Sequence, residues 1–275
     1  MEPGRQGIFF VGTATTLIRC ARFTILTDPN FLHRGGHARL GWGLRAERLT
    51  DPAIEIDDLP ALDFVLLSHH HGDHFDDVAA ERLDRDLPIV TTPHGAEKLT
   101  DQGFRAVTAL DTWQSTMMER SGSVLRVTAM PGVHGPGLAR HLVPPVMGSM
   151  LEFQDGDARA FTMYVTGDTL MHDGIVDIAR RSPDIDLALI HLGGTKVAGL
   201  LLTMDAAQGV ELLRTVRPRV AIPIHYDDYA VFRSPLSEFL EAVRAADLRE
   251  TVVRPLARGQ LYRFELPGFD QRRVG

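Results

Sequence analysis

The chain reads FVLLSHHHGDH over residues 64–74. The apolar residues that open this stretch predict a short buried strand, and the strand is followed at once by four of the chain's 12 histidines. On an extended or tightly turned loop, His69 and His71 project to one side. Asp73 and His74 then turn back toward the same cavity. Imidazole and carboxylate groups are ligands that zinc, manganese and iron accept, so the stretch predicts a metal site.

The composition is that of a globular chain with an acidic excess. Of the 275 residues, 44% are hydrophobic, and no linker divides the sequence, so we expect one domain over residues 1–275. The formal net charge of −7 argues against a general nucleic-acid binder, and no nucleic-acid partner is expected. Cys20 is the only cysteine, which excludes an internal disulfide and a cysteine-rich zinc site. Any metal must therefore be bound by histidine and carboxylate.

Signals for export or for membrane insertion are missing from the sequence. Residues 1–7 lack the basic start and the apolar stretch of a secretory signal. No apolar run approaches the roughly 20 residues that are needed to span a bilayer. We therefore expect no transmembrane segment and a cytoplasmic location. The sequence does not indicate an oligomeric state.

Strand-like and helix-like segments alternate along the chain, which predicts a mixed α/β (α+β) fold with two strand-rich halves and helices outside them. The segment 30–60 is rich in Gly and Arg, includes Trp42, and predicts a long functional or mobile loop. The predicted strands cover residues 8–11, 15–18, 23–27, 64–67, 89–90, 124–128, 150–153, 161–165, 187–190, 220–224 and 261–264. The predicted helices cover residues 77–83, 93–99, 174–180, 206–213 and 236–245.

Three further candidate ligands each follow a predicted strand. His134 lies just beyond the strand at 124–128, Asp168 beyond the strand at 161–165, and His225 directly after Ile224. Strand ends are where a rigid scaffold presents functional side chains. A lone histidine after a strand is more often a hydrogen-bonded loop residue, so each of these is weak evidence by itself. As an ordered set that follows the first motif, they reinforce one another.

The order of these residues resembles the metallo-β-lactamase superfamily of di-metal hydrolases. The resemblance extends over nearly the whole chain, from Leu26-Thr27-Asp28-Pro29 onward. The segments at 59–63, 148–150 and 224–226 are similar to the branch that contains ascorbate-6-phosphate lactonase and N-acyl-phosphatidylethanolamine-hydrolysing phospholipase D. The resemblance implies a four-layer αββα sandwich with the metals at the edge between the two sheets.

The resemblance also implies a role for each candidate ligand. It places His69, His71 and His134 on a first divalent ion and Asp73, His74 and His225 on a second, with Asp168 bridging the two. We expect zinc, although manganese or iron would accept the same ligands. In the implied reaction, a hydroxide that bridges the ions attacks the substrate, and Asp73 orients it or shuttles a proton.

Other polar residues have weaker support. His70 is expected to be a packing or supporting residue, and Asp28 either orients a ligand histidine or only forms a turn with Pro29. Five side chains lie in loops near the predicted ligands and would either contact an anionic substrate group or be solvated: Arg140, His141, His172, Lys196 and Tyr226. The segments 30–60 and 135–147 are expected to frame the pocket entrance.

The expected substrate is a small molecule or a lipid-like ester or phosphodiester, and the bond is a phosphodiester, a lactone or another ester or amide. A phospholipase-like enzyme would need an apolar approach surface, which Phe31, Leu40, Trp42 and Leu44 could supply unless they pack beneath the loop. A lactonase-like enzyme would need a small polar pocket with cationic groups. An iron-dependent oxidoreductase of the same fold is the alternative class. A nuclease usually has an added clamping domain, and a pure binding role would leave seven ligands unexplained.

Overall fold

Two β-sheets with helices on their outer faces make up the part of the chain that the computed structural model describes, which is residues 6–41, 43–156 and 160–266. In chain order the strands are β1 (Gly7–Gly12), β2 (Thr15–Cys20), β3 (Phe23–Thr27), β4 (His37–Arg39), β5 (Arg45–Glu47), β6 (Phe64–Leu66), β7 (Ile89–Thr91), β8 (Val107–Ala109), β9 (Ser115–Arg120), β10 (Ser123–Pro131), β11 (Met147–Asp155), β12 (Phe161–Val165), β13 (Leu187–His191), β14 (Gly193–Val197), β15 (Leu200–Leu201), β16 (Val220–Ile224), β17 (Phe232–Ser234), β18 (Val252–Val253) and β19 (Leu261–Arg263).

The helices begin where the sequence supplies capping side chains. They are α1 (Asp77–Arg82), α2 (Pro93–Asp101), α3 (Asp173–Arg181), α4 (Ala206–Val216) and α5 (Leu236–Ala246). Asp76, Thr92, His172 and Asp205 each accept a hydrogen bond from a backbone N–H in the first turn of α1, α2, α3 and α4. Among the described residues, no helix is long and apolar enough to cross a membrane.

Each sheet combines an antiparallel part with a parallel part. The strand orders are β19-β1-β2-β3-β6-β7-β8 and β18-β16-β13-β12-β11-β10-β9. Parallel pairing joins β3, β6, β7 and β8 in the first sheet and β12, β13, β16 and β18 in the second. The connections between these parallel strands contain the helices, which pack on the outer faces of the sheets.

Alternation along the strands divides the apolar side chains among three main cores. Ile8 and Phe10 of β1 point between the sheets, where they share a core with Leu125 of β10. Val11 points the other way, into a core with α1 and α2. A third core lies between the second sheet and α3, α4 and α5. These cores confirm the expected four-layer αββα sandwich.

The segment 30–60 is more ordered than the sequence suggested. Strands β4 and β5 form an antiparallel hairpin in which Ala38 and Ala46 are buried beside Tyr229. A 3-10 turn follows at Ile56–Asp58. The prediction of one long loop was wrong here because each of these strands has only three residues, too few to show an alternating pattern. Trp42, noted in the same segment, lies outside the described residues.

Asp76 ties this segment to the histidine-rich loop. Its Oδ2 accepts hydrogen bonds from the backbone N–H groups of Phe31 at 2.5 Å and Leu32 at 2.6 Å, and its Oδ1 accepts one from Ala79 at 2.8 Å. The carboxyl group is buried, and burial raises the pKa of Asp76 to about 6 against the opposing effect of these hydrogen bonds. One side chain therefore satisfies three backbone donors from two segments.

We expect Asp76→Ala to lower the free energy of unfolding by about 2–4 kcal/mol, because it removes a helix cap and leaves buried N–H groups without partners. The matched control is Asp77→Ala at the next position, where an exposed carboxylate pairs with Arg39 at 3.3 Å. That surface pair should contribute less than about 1 kcal/mol. Denaturant titration of both variants checks the difference, and equal losses would refute the role given to Asp76.

Candidate metal centre

The three histidines assigned to the first ion lie together at the ends of β6 and β10. His69 Nε2 is 3.3 Å from His71 Nδ1, and the ring of His134 lies 5.1 Å from the ring of His69. Each of the three rings offers a nitrogen that lies within 4.8 Å of the nitrogens offered by the other two. All three rings are buried, and His134 Nε2 has no hydrogen-bond partner among the described residues. Such a set matches the spacing of ligands around one cation.

A second group of four residues lies beside the first: Asp73, His74, Asp168 and His225. His74 Nε2 is 3.3 Å from Asp168 Oδ2, and His225 Nε2 is 3.5 Å from Asp73 Oδ2. Asp168 groups with these residues by distance and not with the first three. The structure thus brings together all seven residues singled out in the sequence, in a group of three and a group of four. The resemblance implied that Asp168 is shared by both groups, whereas by distance it belongs to the second alone.

Three of the five candidate ligand rings are oriented by a backbone carbonyl that contacts their other nitrogen. His71 Nε2, His134 Nδ1 and His225 Nδ1 lie 3.0, 3.0 and 3.1 Å from the carbonyl oxygens of Leu40, Leu202 and Leu192. With a proton on that nitrogen, each ring donates to the carbonyl and turns its free lone pair toward the cluster. Ligand histidines in metalloproteins are held in the same way.

The Asp28 carboxylate contacts His74 and also His191, a histidine that the sequence analysis did not single out. Its Oδ2 lies 3.3 Å from His74 Nδ1 and 3.3 Å from His191 Nε2, while Oδ1 accepts a hydrogen bond from the Ser68 backbone at 2.7 Å. His191 ends β13 and is fully buried, and its Nδ1 lies 3.2 Å from Thr166 Oγ1. Asp28, His74 and His191 form a third group of potential ligands, which shares His74 with the second.

The two main groups differ in the pKa values of their histidines. Burial lowers the pKa of His69 well below its usual value and that of His134 to about 4, so these rings are neutral near neutral pH. Burial would also lower the pKa of His74, but Asp168 and other carboxylates raise it well above its usual value. Burial opposes ionisation of Asp168, yet His225 and His74 hold its pKa well below the usual range. A cation in the second group would compete with the protons on these histidines.

A buried arginine supports the backbone beneath His225. Arg48 is fully buried and donates hydrogen bonds to Thr13 Oγ1 and Asn30 Oδ1. The Thr13 backbone N–H donates to Asp228 at 2.5 Å, and its carbonyl accepts from the His225 N–H at 2.6 Å. His225 itself has a φ of +61°, a strained conformation that these contacts maintain.

A cavity of about 300 Å³ opens directly onto both groups. His71, Asp73, His134 and Asp168 form its polar end, and the other residues are Leu40, Leu44, Leu142, Val143, Thr195, Val197, Ala198, Leu200 and Leu202. Among the described residues that line it, there is no lysine or arginine. The segments 30–60 and 135–147 frame it as expected, and the segment around β14 and β15, which the sequence did not indicate, completes it.

The other singled-out polar residues lie outside this cavity. Arg140 and His141 line a second, neighbouring cavity of about 650 Å³, together with His70. His172 caps α3, and the buried Tyr226 hydroxyl donates to the Leu256 carbonyl at 2.8 Å. Lys196 is on the exposed side of β14.

The residues suggested for an apolar approach surface lie in different parts of the structure. Phe31 is buried in the core with α1 and α2, whereas Leu40 and Leu44 line the cavity.

The donor set fits divalent metal ions. Several ring nitrogens and carboxylate oxygens of the two groups are buried and have no hydrogen-bond partner among the described residues: Asp73 Oδ1, His74 Nε2, His134 Nε2, Asp168 Oδ1 and His225 Nε2. Buried polar atoms are normally hydrogen-bonded, so five such atoms turned toward one cluster, two of them only 3.3 and 3.5 Å from carboxylate oxygens, fit a site that binds cations. Nitrogen and carboxylate oxygen suit zinc, manganese and iron.

Known proteins are similar to this chain over most of its length. A family model described as "Beta-lactamase superfamily domain" matches residues 24–226. N-acyl-phosphatidylethanolamine-hydrolyzing phospholipase D 1 of Caenorhabditis elegans is 27% identical, and the match covers 94% of this chain and 76% of that protein. A metal-dependent hydrolase of Cupriavidus metallidurans is 26% identical over 91% of this chain and 83% of its own length.

Solved structures share the fold at lower sequence identity. An isothiocyanate hydrolase from Delia radicum gut bacteria superposes with a TM-score of 0.77 at 20% identity, covering 94% of this chain and 99% of that one. A diiron beta-hydroxylase from Streptomyces venezuelae superposes with a TM-score of 0.66 at 15% identity, covering 96% of this chain and 55% of that one. At these identities the likeness concerns the fold alone.

Proposed function

Because the chain belongs to the beta-lactamase superfamily and is a metal-dependent hydrolase of that family, we propose that it uses two divalent ions to cleave an ester, amide, lactone or phosphodiester next to an apolar group. In this proposal, His69, His71 and His134 hold one ion, and Asp73, His74 and His225 hold the other. Asp168 is shared between them. The observation that carries the proposal is the set of unpartnered ligand atoms at the end of an apolar cavity.

When bound, the ions supply Lewis acidity and lower the pKa of water, and zinc is the first candidate. Asp73 is the proposed catalytic residue. It lines the cavity, and its Oδ1 is buried without a hydrogen-bond partner among the described side chains. That oxygen can accept a proton from the attacking water and orient it toward the substrate. A substrate packed against the leucines that line the cavity would exclude bulk water, which strengthens these interactions.

The walls of the cavity favour a substrate with an apolar arm. Leu142 and Leu200 are 57% and 46% exposed, so they form an apolar rim that a bound chain or ring would cover. A phosphorylated lactone has a phosphate in addition to the bond that is cleaved, and the described lining has no lysine or arginine to pair with it. A lipid-like or aromatic ester therefore fits the cavity better, in keeping with the phospholipase named among the relatives.

Assays of chromogenic substrates test this function. The panel is p-nitrophenyl acetate, butanoate and octanoate, phenyl lactones and bis(p-nitrophenyl) phosphate. We expect kcat/KM to rise with chain length, since each buried CH₂ group contributes about 0.8 kcal/mol. If the metal-loaded protein hydrolyses none of these substrates, the proposal is contradicted.

Two leucines of one loop provide a matched comparison within this assay. Leu142 lines the cavity, whereas Leu138, 85% exposed, does not. Leu142→Asp should lower kcat/KM for the octanoate about tenfold, because it places a charge in the apolar wall, and leave the acetate nearly unchanged. Leu138→Asp should affect neither ester. Equal effects of the two substitutions would argue against binding of the chain in this cavity.

Asp28→Asn tests the supporting contact to His74. We expect affinity for the second ion to fall about 10–100-fold, the usual cost of removing the carboxylate behind a ligand histidine. Competition with a chromophoric chelator measures the affinity of each ion in the wild type and the variant. Asp63→Asn, which changes a carboxylate that accepts from the Thr24 backbone at 2.7 Å, is the control and should leave both affinities unchanged. Unaltered binding by Asp28→Asn would remove Asp28 from the proposed centre.

A further inference from the structure

Arg48 places a positive charge inside the protein, where its hydrogen bonds go to uncharged groups. The side chain is fully buried, and Nε donates to the Thr50 carbonyl at 3.0 Å. Nη1 donates to the hydroxyl of Thr13 and to the amide oxygen of Asn30. A buried cation that is bonded to neutral acceptors in place of a carboxylate costs free energy, so packing alone does not account for an arginine at this position.

The hydrogen bond to Thr13 connects Arg48 to His225. Thr13 has a φ of +52°, and its N–H donates to Asp228 Oδ2 at 2.5 Å. Its carbonyl accepts from the His225 N–H at 2.6 Å. His225 has a φ of +61°, a conformation that a residue other than glycine keeps only when its surroundings fix it. Arg48 thus helps to fix the backbone from which the His225 ring reaches the second group.

The hydrogen bond to Asn30 connects Arg48 to the histidine-rich loop. Asn30 is fully buried, and its Oδ1 also accepts from the Tyr229 hydroxyl at 3.0 Å. Its Nδ2 donates to the Gly72 carbonyl at 3.1 Å. That carbonyl lies in the same peptide plane as the Asp73 N–H, so the bond restricts the direction in which the Asp73 side chain leaves the backbone.

Two of the three rings in the first group are held by unrelated contacts. His69 Nδ1 lies 3.0 Å from Ser68 Oγ, and His134 Nδ1 lies 3.0 Å from the Leu202 carbonyl. Neither contact includes Arg48 or a residue that its side chain bonds. A change at Arg48 should therefore affect the two groups of candidate ligands unequally.

We propose that Arg48 is a positioning residue for the second ion. By fixing the backbones that carry Asp73 and His225 at the same time, it sets the spacing of these two side chains, whose Oδ2 and Nε2 atoms lie 3.5 Å apart. It acts through Thr13 and Asn30 and belongs to neither ligand group. The inference rests on the two-ion centre of the proposed function and adds a residue that determines the affinity of one ion.

The affinities of the two zinc ions test this role directly, and competition with a chromophoric chelator measures both. Arg48→Met keeps the length of the side chain and removes its donors. We expect it to weaken binding of the second ion about 10–100-fold and to leave the first nearly unchanged. Loss of a positive charge would by itself strengthen cation binding, so the expected fall has the opposite sign to a charge effect. The visible spectrum of Co²⁺ bound in the second position should change as well, because it depends on ligand geometry.

Thr13→Val tests the same contact without a change of charge, and it applies if Arg48→Met fails to fold. Valine keeps the branched shape and removes the hydroxyl that accepts from Arg48, so affinity for the second ion should fall about tenfold. Because both substitutions break one chain of contacts, the double variant should bind the second ion about as weakly as Arg48→Met alone.

Leu213→Ala is the control for a general loss of stability. Leu213 is buried in the core between the second sheet and the helices, and its truncation destabilises the fold by leaving a cavity. Both ion affinities should stay at their wild-type values. Equal weakening of both ions in Arg48→Met would overturn the positioning role, as would unchanged second-ion affinity in folded Arg48→Met or Thr13→Val.

Assays of the ester panel separate this result from the proposed function. If the wild type binds two ions and cleaves no substrate while Arg48→Met loses the second ion, the hydrolase proposal fails and the role of Arg48 stands. If the wild type cleaves p-nitrophenyl octanoate and Arg48→Met binds both ions as tightly as the wild type, the role of Arg48 fails and the function stands. A wild type that takes up no metal would overturn both.

Discussion

Replacing Asp168 by alanine is expected to lower kcat for the best substrate of the ester panel by about 10³-fold. Asp168 is the carboxylate proposed to be shared by both ions, and it lies 3.3 Å from His74 and 3.5 Å from His225. Without it the two positions lose their common ligand. The Lewis acidity of a metal site stabilises the transition state by several kcal/mol, and a loss of about 4 kcal/mol corresponds to the expected factor.

Two further variants keep this experiment interpretable. Asp168→Asn conserves the shape of the side chain, so it applies if the alanine variant fails to fold. Asp186→Asn changes a buried carboxylate at the end of β13 opposite His191, where it accepts from the Thr162 backbone at 3.0 Å. The Asp186→Asn control should keep kcat within about twofold of the wild-type value, because Asp186 contacts neither the proposed ligands nor the cavity. Full activity of a folded Asp168→Asn protein would refute the shared-ligand role.

Removal of the metal is expected to lower Tm by about 10 °C, which is the second large effect. A ligand present at a thousand times its Kd stabilises the folded state by about 4 kcal/mol. In a chain of this size, each kcal/mol shifts Tm by about 2–4 °C. The metal-free chain also retains buried ligand atoms without partners, such as His134 Nε2 and His225 Nε2.

Differential scanning calorimetry after dialysis against EDTA measures this shift. EDTA that was saturated with zinc beforehand is the control and should leave Tm unchanged. Addition of zinc or manganese to the stripped protein should restore the original Tm. A stripped protein with the original Tm would show that these residues do not couple metal binding to folding.

The clustering of the candidate ligands was predictable because they share one local feature. Each lies in the segment that follows a strand whose apolar run is visible in the sequence, as with His69 after β6 and His225 after β16. The spacing within 69–74 then fixes which side chains face together. The order of His134, Asp168 and His225 along the chain supplied the rest, through resemblance.

His191 was not predictable because its role depends on contacts between distant parts of the chain. It ends the buried strand β13, and its partner Asp28 is 163 positions away. The carbonyls of Leu40, Leu192 and Leu202 that orient the rings belong to the backbone, so no residue type identifies them. Such supporting contacts become visible only when the fold is known.

The cavity wall shows the same limit. Leu142 and Leu200 come from segments without a periodic pattern. The short strands β14, β15 and β17 were not predicted, because they form only by pairing with one another.

The metal content per chain tests the central claim most directly. The protein is purified without a metal-binding tag and without chelator, and metals are quantified by mass spectrometry against protein concentration. The account predicts about two zinc or manganese ions per chain, as in other two-metal hydrolytic sites, and fewer in Asp168→Ala. A single iron per chain would favour the oxidoreductase alternative. A chain that contains no metal and takes up none on addition would contradict the account.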